Sequence, residues 1–67
     1  MSVFYVVAQT WGETKERILV PEHTIRCIIE ETNPGRNTVV KVYLFSNGAY
    51  TVNTTLENFL DSCRVEV

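Results

Sequence analysis

Apolar residues alternate with polar ones at a period of two over most of this chain, which predicts β-strands. The first segment, residues 3–8, carries two apolar sets, Val3, Tyr5 and Val7 on one side and Phe4, Val6 and Ala8 on the other. We expect both faces of this strand to be covered. Residues 15–20 resume extended structure, and Pro21 should end it because proline has no amide hydrogen for a sheet ladder. With a turn at Gly12, the two segments are predicted to form a hairpin.

Three further strands are predicted at residues 25–32, 38–46 and 49–53. In the second of these, the alternation separates Val40, Val42 and Leu44 from Val39, Lys41, Tyr43 and Phe45. Turn-forming residues at 33–37 mark a loop before it. The pair Asn47 and Gly48 after it predicts a two-residue type I′ hairpin turn, because both residues tolerate a positive φ.

The apolar spacing changes to a helical period near the C-terminus, where Leu56, Phe59, Leu60 and Cys63 form one stripe. Thr54 and Glu57 have the spacing of a capping box, so the helix should begin after Thr54. Residues 65–67 are either a frayed tail or a short edge strand.

These elements predict an α+β fold, an antiparallel β-meander of about five strands with one short C-terminal helix packed on one face. We expect a single domain over residues 1–67. One helix covers only one face of such a sheet. The other face would leave an apolar patch that a soluble monomer rarely exposes. The residues expected on it are Val39, Tyr43, Phe45 and either Tyr5 or Phe4.

Composition limits what the chain does. It has 67 residues, 45% of them hydrophobic and 21% charged, which argues against disorder and against a two-domain enzyme. A domain of this length buries only about 60% of the surface of its unfolded chain. We therefore expect a second copy or a partner to complete the buried surface.

Charge and motifs argue against several other functions. A net charge of −2 with scattered basic residues disfavours duplex DNA or RNA as a partner. The N-terminal apolar run is too short to span a bilayer and lacks the features of a signal peptide, so we expect a cytoplasmic protein. Cys27, Cys63 and His23 are too far apart to resemble a metal site, and no catalytic or cofactor motif is present. We expect no metal, no cofactor and no enzymatic activity.

Two functional hypotheses remain. The first is a non-enzymatic regulatory or adaptor module that self-associates or docks a protein through the uncovered face, with Val39, Tyr43, Phe45 and Tyr5 at the interface. Short acidic chains of this kind are common in phages and mobile elements. The second is a sensor or sponge for a small anionic nucleotide. Its candidate residues are Arg26, Arg36 and Lys41 for the phosphate and Tyr43 or Trp11 for the base. The simpler interpretation of each arginine is a solvated surface charge.

The order of turns and strands resembles the small FlbD-type flagellar proteins over residues 3–60. The matching segments are Pro21, Ile29-Glu30-Glu31-Thr32, Thr38-Val39-Val40, Asn47-Gly48, Tyr50-Thr51-Val52 and Leu56-Glu57-Asn58-Phe59-Leu60. A similar order occurs in LytTR-type DNA-binding domains, but the basic stretch that follows the helix there is absent here. The resemblance implies the same fold and a non-enzymatic protein, and it identifies no functional residue.

Overall fold

The computed structural model describes residues 2–35 and 37–67. It contains strands β1 (Val3–Trp11), β2 (Thr14–Pro21), β3 (Ile25–Thr32), β4 (Thr38–Leu44), β5 (Ala49–Val52) and β6 (Arg64–Glu66), with helix α1 (Leu56–Cys63) between β5 and β6. A short 3₁₀-helix, Glu22–Thr24, joins β2 to β3. The α+β class and the short C-terminal helix are confirmed, and the C-terminal residues form an edge strand.

The strands form two antiparallel sheets of three strands each, in the orders β2-β1-β6 and β3-β4-β5. The expectation of one five-stranded meander is therefore wrong. The break falls between β2 and β3, where Pro21 ends the first hairpin and the 3₁₀-helix redirects the chain. Strand β6 returns to the free side of β1, so β1 becomes the central strand of the first sheet.

The first hairpin is longer than predicted. Strands β1 and β2 stay paired as far as Trp11 and Thr14, so the turn contains only two residues. Gly12 has a φ of 61° there, which glycine adopts without steric cost. All side chains of residues 10–17 are exposed, so the end of this hairpin extends beyond the packed body of the protein.

A period of two over residues 25–32 predicts Ile25, Cys27 and Ile29 on one face, and a bulge in β3 breaks this alternation. The pairing with β4 shifts between Ile25 and Cys27, so that Ile25 faces Leu44 while Cys27 faces Tyr43. Ile25 therefore shares the core side with Ile28, and Cys27 lies on the opposite side. An extra residue in one strand moves every residue before it to the opposite face of the sheet. The alternation of apolar and polar residues in the sequence does not show where such an extra residue lies.

The turn between β4 and β5 also differs from the prediction. The Leu44 carbonyl accepts a hydrogen bond of 3.2 Å from the Asn47 amide, and the Leu44 amide donates one of 2.9 Å to the Gly48 carbonyl. Asn47 has a φ of 68°, whereas Gly48 is not in the positive region. The connection is thus a longer loop with Asn47 in the left-handed conformation, and the type I′ prediction is wrong. Phe45 belongs to this loop and not to a strand.

The core lies between the inner faces of the two sheets and the helix. Its buried hydrophobic side chains are Tyr5, Val7, Val20, Val40, Val42 and Phe59. The rings of Tyr5 and Phe59 stack with their centroids 5.6 Å apart and their planes 6° from parallel. Such a pair contributes more than its buried area alone. It attaches the helix to the central strand of the first sheet.

The helix begins one residue later than predicted. The Thr55 hydroxyl, not that of Thr54, accepts a hydrogen bond of 3.2 Å from the Asn58 amide. The Leu56 amide donates a second hydrogen bond of 2.7 Å to a carboxylate oxygen of Glu30, which lies in β3. A carboxylate at this position satisfies a free amide and faces the positive end of the helix dipole. Glu30 therefore connects the second sheet to the start of the helix.

Phe59 is fully buried, so its removal should unfold most of the protein. A Phe59→Ala substitution in a core costs about 3–5 kcal/mol, which matches the whole of the roughly 3–5 kcal/mol that a core this small supplies. Urea denaturation followed by circular dichroism measures the loss. Leu60→Ala, at a neighbouring helix position that is 40% exposed, is the control and should remain folded. If Phe59→Ala unfolds cooperatively at the same urea concentration as the wild type, this account of the core is wrong.

Glu30→Ala removes the carboxylate that caps the helix and should lower the free energy of unfolding by about 0.5–2 kcal/mol. The matched control is Glu31→Ala, because Glu31 lies on the other side of the same strand in an exposed ion pair with Lys41. Denaturation should show the smaller loss for Glu31→Ala. If both variants lose the same free energy of unfolding, the helix cap from Glu30 contributes no more than the ion pair between Glu31 and Lys41.

Candidate functional site

The side of the β3-β4-β5 sheet that faces away from the helix carries three of the residues that the sequence predicts for a site, Val39, Lys41 and Tyr43. We call it the second-sheet surface. Cross-strand pairing places the following residues on it: Cys27, Ile29, Glu31, Val39, Lys41, Tyr43, Ala49 and Thr51. Ile29 is 40% exposed, and Cys27, Val39 and Tyr43 are half-buried by their neighbours in the sheet. The surface is mixed, with apolar side chains around a charged pair.

That charged pair is an ion pair between Lys41 and Glu31, whose atoms Nζ and Oε2 lie 3.0 Å apart. The hydrogen bond that Lys41 donates to Glu31, together with the negative charge of that carboxylate, raises the pKa of Lys41. Beside it, the Arg26 guanidinium lies 5.7 Å from the centroid of the Tyr43 ring, a cation–π geometry. Both cations and the aromatic ring thus already have partners within the chain.

The structure brings together three of the five residues proposed for a nucleotide. Arg26, Lys41 and Tyr43 adjoin one another at the second-sheet surface. Trp11 lies at the turn of the first hairpin, whereas β3 starts from the opposite end of that hairpin, beside Phe4. Strand pairing among the described residues does not bring Trp11 beside the other three. The prediction for Arg36 falls outside the described residues.

The residues proposed for an interface also lie in different parts of the structure. Val39 and Tyr43 lie on the second-sheet surface, and Phe45 lies in the loop at its edge, 68% exposed. Tyr5 does not belong to it. It is only 7% exposed and stacks on Phe59 in the core, so its assignment to the uncovered face is wrong. The reason is the alternation of β1, which turns Tyr5 toward the helix and Phe4 away from it.

A second apolar surface lies on the outer side of the first sheet. We call it the first-sheet surface. Its members are Phe4, Val6, Ala8, Leu19, Pro21 and Val65. The sequence interpretation missed it because the doubly apolar pattern of β1 suggested a strand covered on both faces. Leu19, on this side, is 54% exposed. The apolar pattern on both faces of β1 could have revealed this surface, because one short helix covers only one side of β1.

Neither a metal centre nor a deep pocket accompanies these surfaces in residues 2–35 and 37–67. A shallow hollow of about 280 Å³ is lined by Ser2, Val3, Phe4, Pro21, Glu22 and His23. No three His, Cys, Asp or Glu side chains of the described chain are grouped so that they could hold a metal ion. Within the same residues, no helix has the length and apolar character needed to cross a bilayer.

Comparisons with protein-family models, with curated proteins and with solved structures found no match to the chain. The surfaces described above therefore carry the functional argument by themselves.

Trp11 is the single tryptophan of the chain and is 66% exposed, so its fluorescence tests where the structure places it. We expect an emission maximum close to that of a tryptophan peptide in water and ready quenching by acrylamide. Unfolding in urea should shift the maximum only slightly. A blue-shifted emission that moves to longer wavelength on unfolding would show that Trp11 is buried.

Proposed function

We propose that the protein is a small, non-enzymatic regulatory or adaptor module of the cytoplasm that acts as a homo-oligomer through an apolar sheet surface. The observation that carries the proposal is the second-sheet surface. Val39, Tyr43 and Ile29 lie there on a sheet whose other side is already packed against the helix. The exposed Phe45 extends the same apolar area at its edge.

The polar groups of this surface favour burial against a second copy. Moving an unpaired charge out of water is costly, whereas a charge that keeps its partner costs less. Lys41 keeps Glu31, and Arg26 keeps the ring of Tyr43. A second copy could therefore cover the surface without leaving these cations unpartnered. Tyr and Arg are also the residue types that most often dominate binding energy at interfaces.

Tyr43→Glu tests the proposal, because it removes the aromatic ring from the centre of the surface and puts a carboxylate in its place. We expect the native mass, measured by light scattering after size-exclusion chromatography, to fall relative to the wild type. The control is Asn58→Glu, which adds the same charge at an exposed position of the helix. Circular dichroism confirms that both variants are folded. An unchanged mass in folded Tyr43→Glu would refute self-association through this surface.

A small anionic nucleotide remains the alternative, and the proximity of Arg26, Lys41 and Tyr43 favours it. Binding would require the phosphate to replace Glu31 as the partner of Lys41 and the base to displace Arg26 from the ring. A panel of mono-, di- and cyclic nucleotides tests this by thermal shift. The alternative predicts an upward shift that Arg26→Ala abolishes. No shift with any nucleotide would eliminate it.

A further inference from the structure

The first-sheet surface is more uniformly apolar than the second-sheet surface. Val6 lies opposite Leu19, and Phe4 lies between Pro21 and Val65. These side chains form a continuous area across all three strands of the sheet, with Phe4 and Val6 on the central strand. Among the described residues, the charged side chain that strand pairing places next to it is Arg17, opposite Ala8 at its edge, whereas the second-sheet surface has Lys41 and Glu31 within it.

Opposite charges lie at the two ends of this surface. Toward the hairpin turn, Lys15 and Arg17 continue the same side of β2 as Leu19, since alternate residues of a strand share a face. At the other end, Glu22 follows Pro21 directly and borders the shallow hollow beside Phe4. In the part of the chain that the structure describes, none of these three charged side chains is in an ion pair.

The positions of these charges make the first-sheet surface complementary to the same surface of a second copy. Strands rise about 3.4 Å per residue, so Arg17 lies about 7 Å and Lys15 about 14 Å from Leu19 on the side toward the hairpin turn. On the other side, Pro21 lies about 7 Å from Leu19 and ends β2, and Glu22 follows it as the first residue of the 3₁₀-helix. When two copies pack face to face about a two-fold axis at Leu19, with their strands antiparallel, each end of the surface meets the opposite end of the other copy. Glu22 of one copy then lies at the end of the second copy that carries Arg17 and Lys15. Packed sheets keep their strands within about 30° of alignment, which preserves this match.

We propose that the first-sheet surface is a second self-association surface, occupied by another copy of this chain. Leu19 packs near the two-fold axis, and Arg17 and Lys15 of each copy pair with Glu22 of the other. The charge pattern favours a second copy over an acidic or a basic partner, because either one would meet a like charge at one end. With the surface proposed above, each chain has two self-complementary surfaces. The assembly is therefore larger than a dimer.

The test uses the full chain and begins with Leu19→Glu. Because Leu19 is exposed, this variant should fold, which circular dichroism checks. We expect Leu19→Glu alone and Tyr43→Glu alone each to give a smaller assembly than the wild type, and the double variant to be a monomer. Asn58→Glu again serves as the control for added charge. A native mass that Leu19→Glu leaves unchanged would overturn the inference.

Charge reversal tests the register of the two copies. In the Tyr43→Glu background, Arg17→Glu should weaken the remaining association about tenfold or more, because it places like charges opposite one another. Glu22→Arg should do the same, and the double reversal should restore the dissociation constant to within about threefold of its starting value. If the double reversal weakens the association by the sum of the two single free-energy losses, the proposed pairing is wrong.

These variants also separate this inference from the function proposed above. If Tyr43→Glu has no effect while Leu19→Glu dissociates the protein, the first-sheet surface is the one that self-associates and the earlier proposal fails. The reverse result overturns only the present inference. A monomeric wild type overturns both.

Discussion

The stacking of Tyr5 on Phe59 is the contact on which the rest of the structure depends. It joins the central strand of the first sheet to the helix, and Phe59 is also in the same buried cluster as Val40 and Val42 of the second sheet. Glu30 adds a polar connection between the second sheet and the start of the helix. One helix of eight residues thereby packs against both sheets. A helix this short is unstable alone, so its stability comes from this packing.

The small number of helices and sheets explains why apolar side chains remain on the outer side of each sheet. The helix and the two sheets cover one another's inner faces, and the described residues form no further helix or sheet over the outer ones. The two outer surfaces differ in how they manage charge. The second-sheet surface neutralises its cations within the chain, through the Lys41–Glu31 pair and the Arg26–Tyr43 contact. The first-sheet surface has its charged side chains at its ends, where we propose that they pair with those of a second copy.

The sequence predicted the elements better than their arrangement. Hydrophobic period identified the strands and the helix, since each depends on the local pattern of side chains around residues such as Val40 and Phe59. The bulge before Cys27 escaped prediction, because one extra residue reverses the faces without changing the composition of the strand. The helix cap from Glu30 escaped as well, since it joins residues 26 positions apart. Tyr5 was assigned to the wrong face because alternation shows that two faces exist but not which of them the helix covers.

The most direct test of the account is the mass of the wild-type protein in solution, measured by sedimentation velocity over a dilution series. A chain with uncovered apolar surfaces on both sheets should sediment as an oligomer of the 7.7 kDa protomer at high concentration and dissociate on dilution. Sedimentation as a 7.7 kDa monomer at every concentration would contradict it.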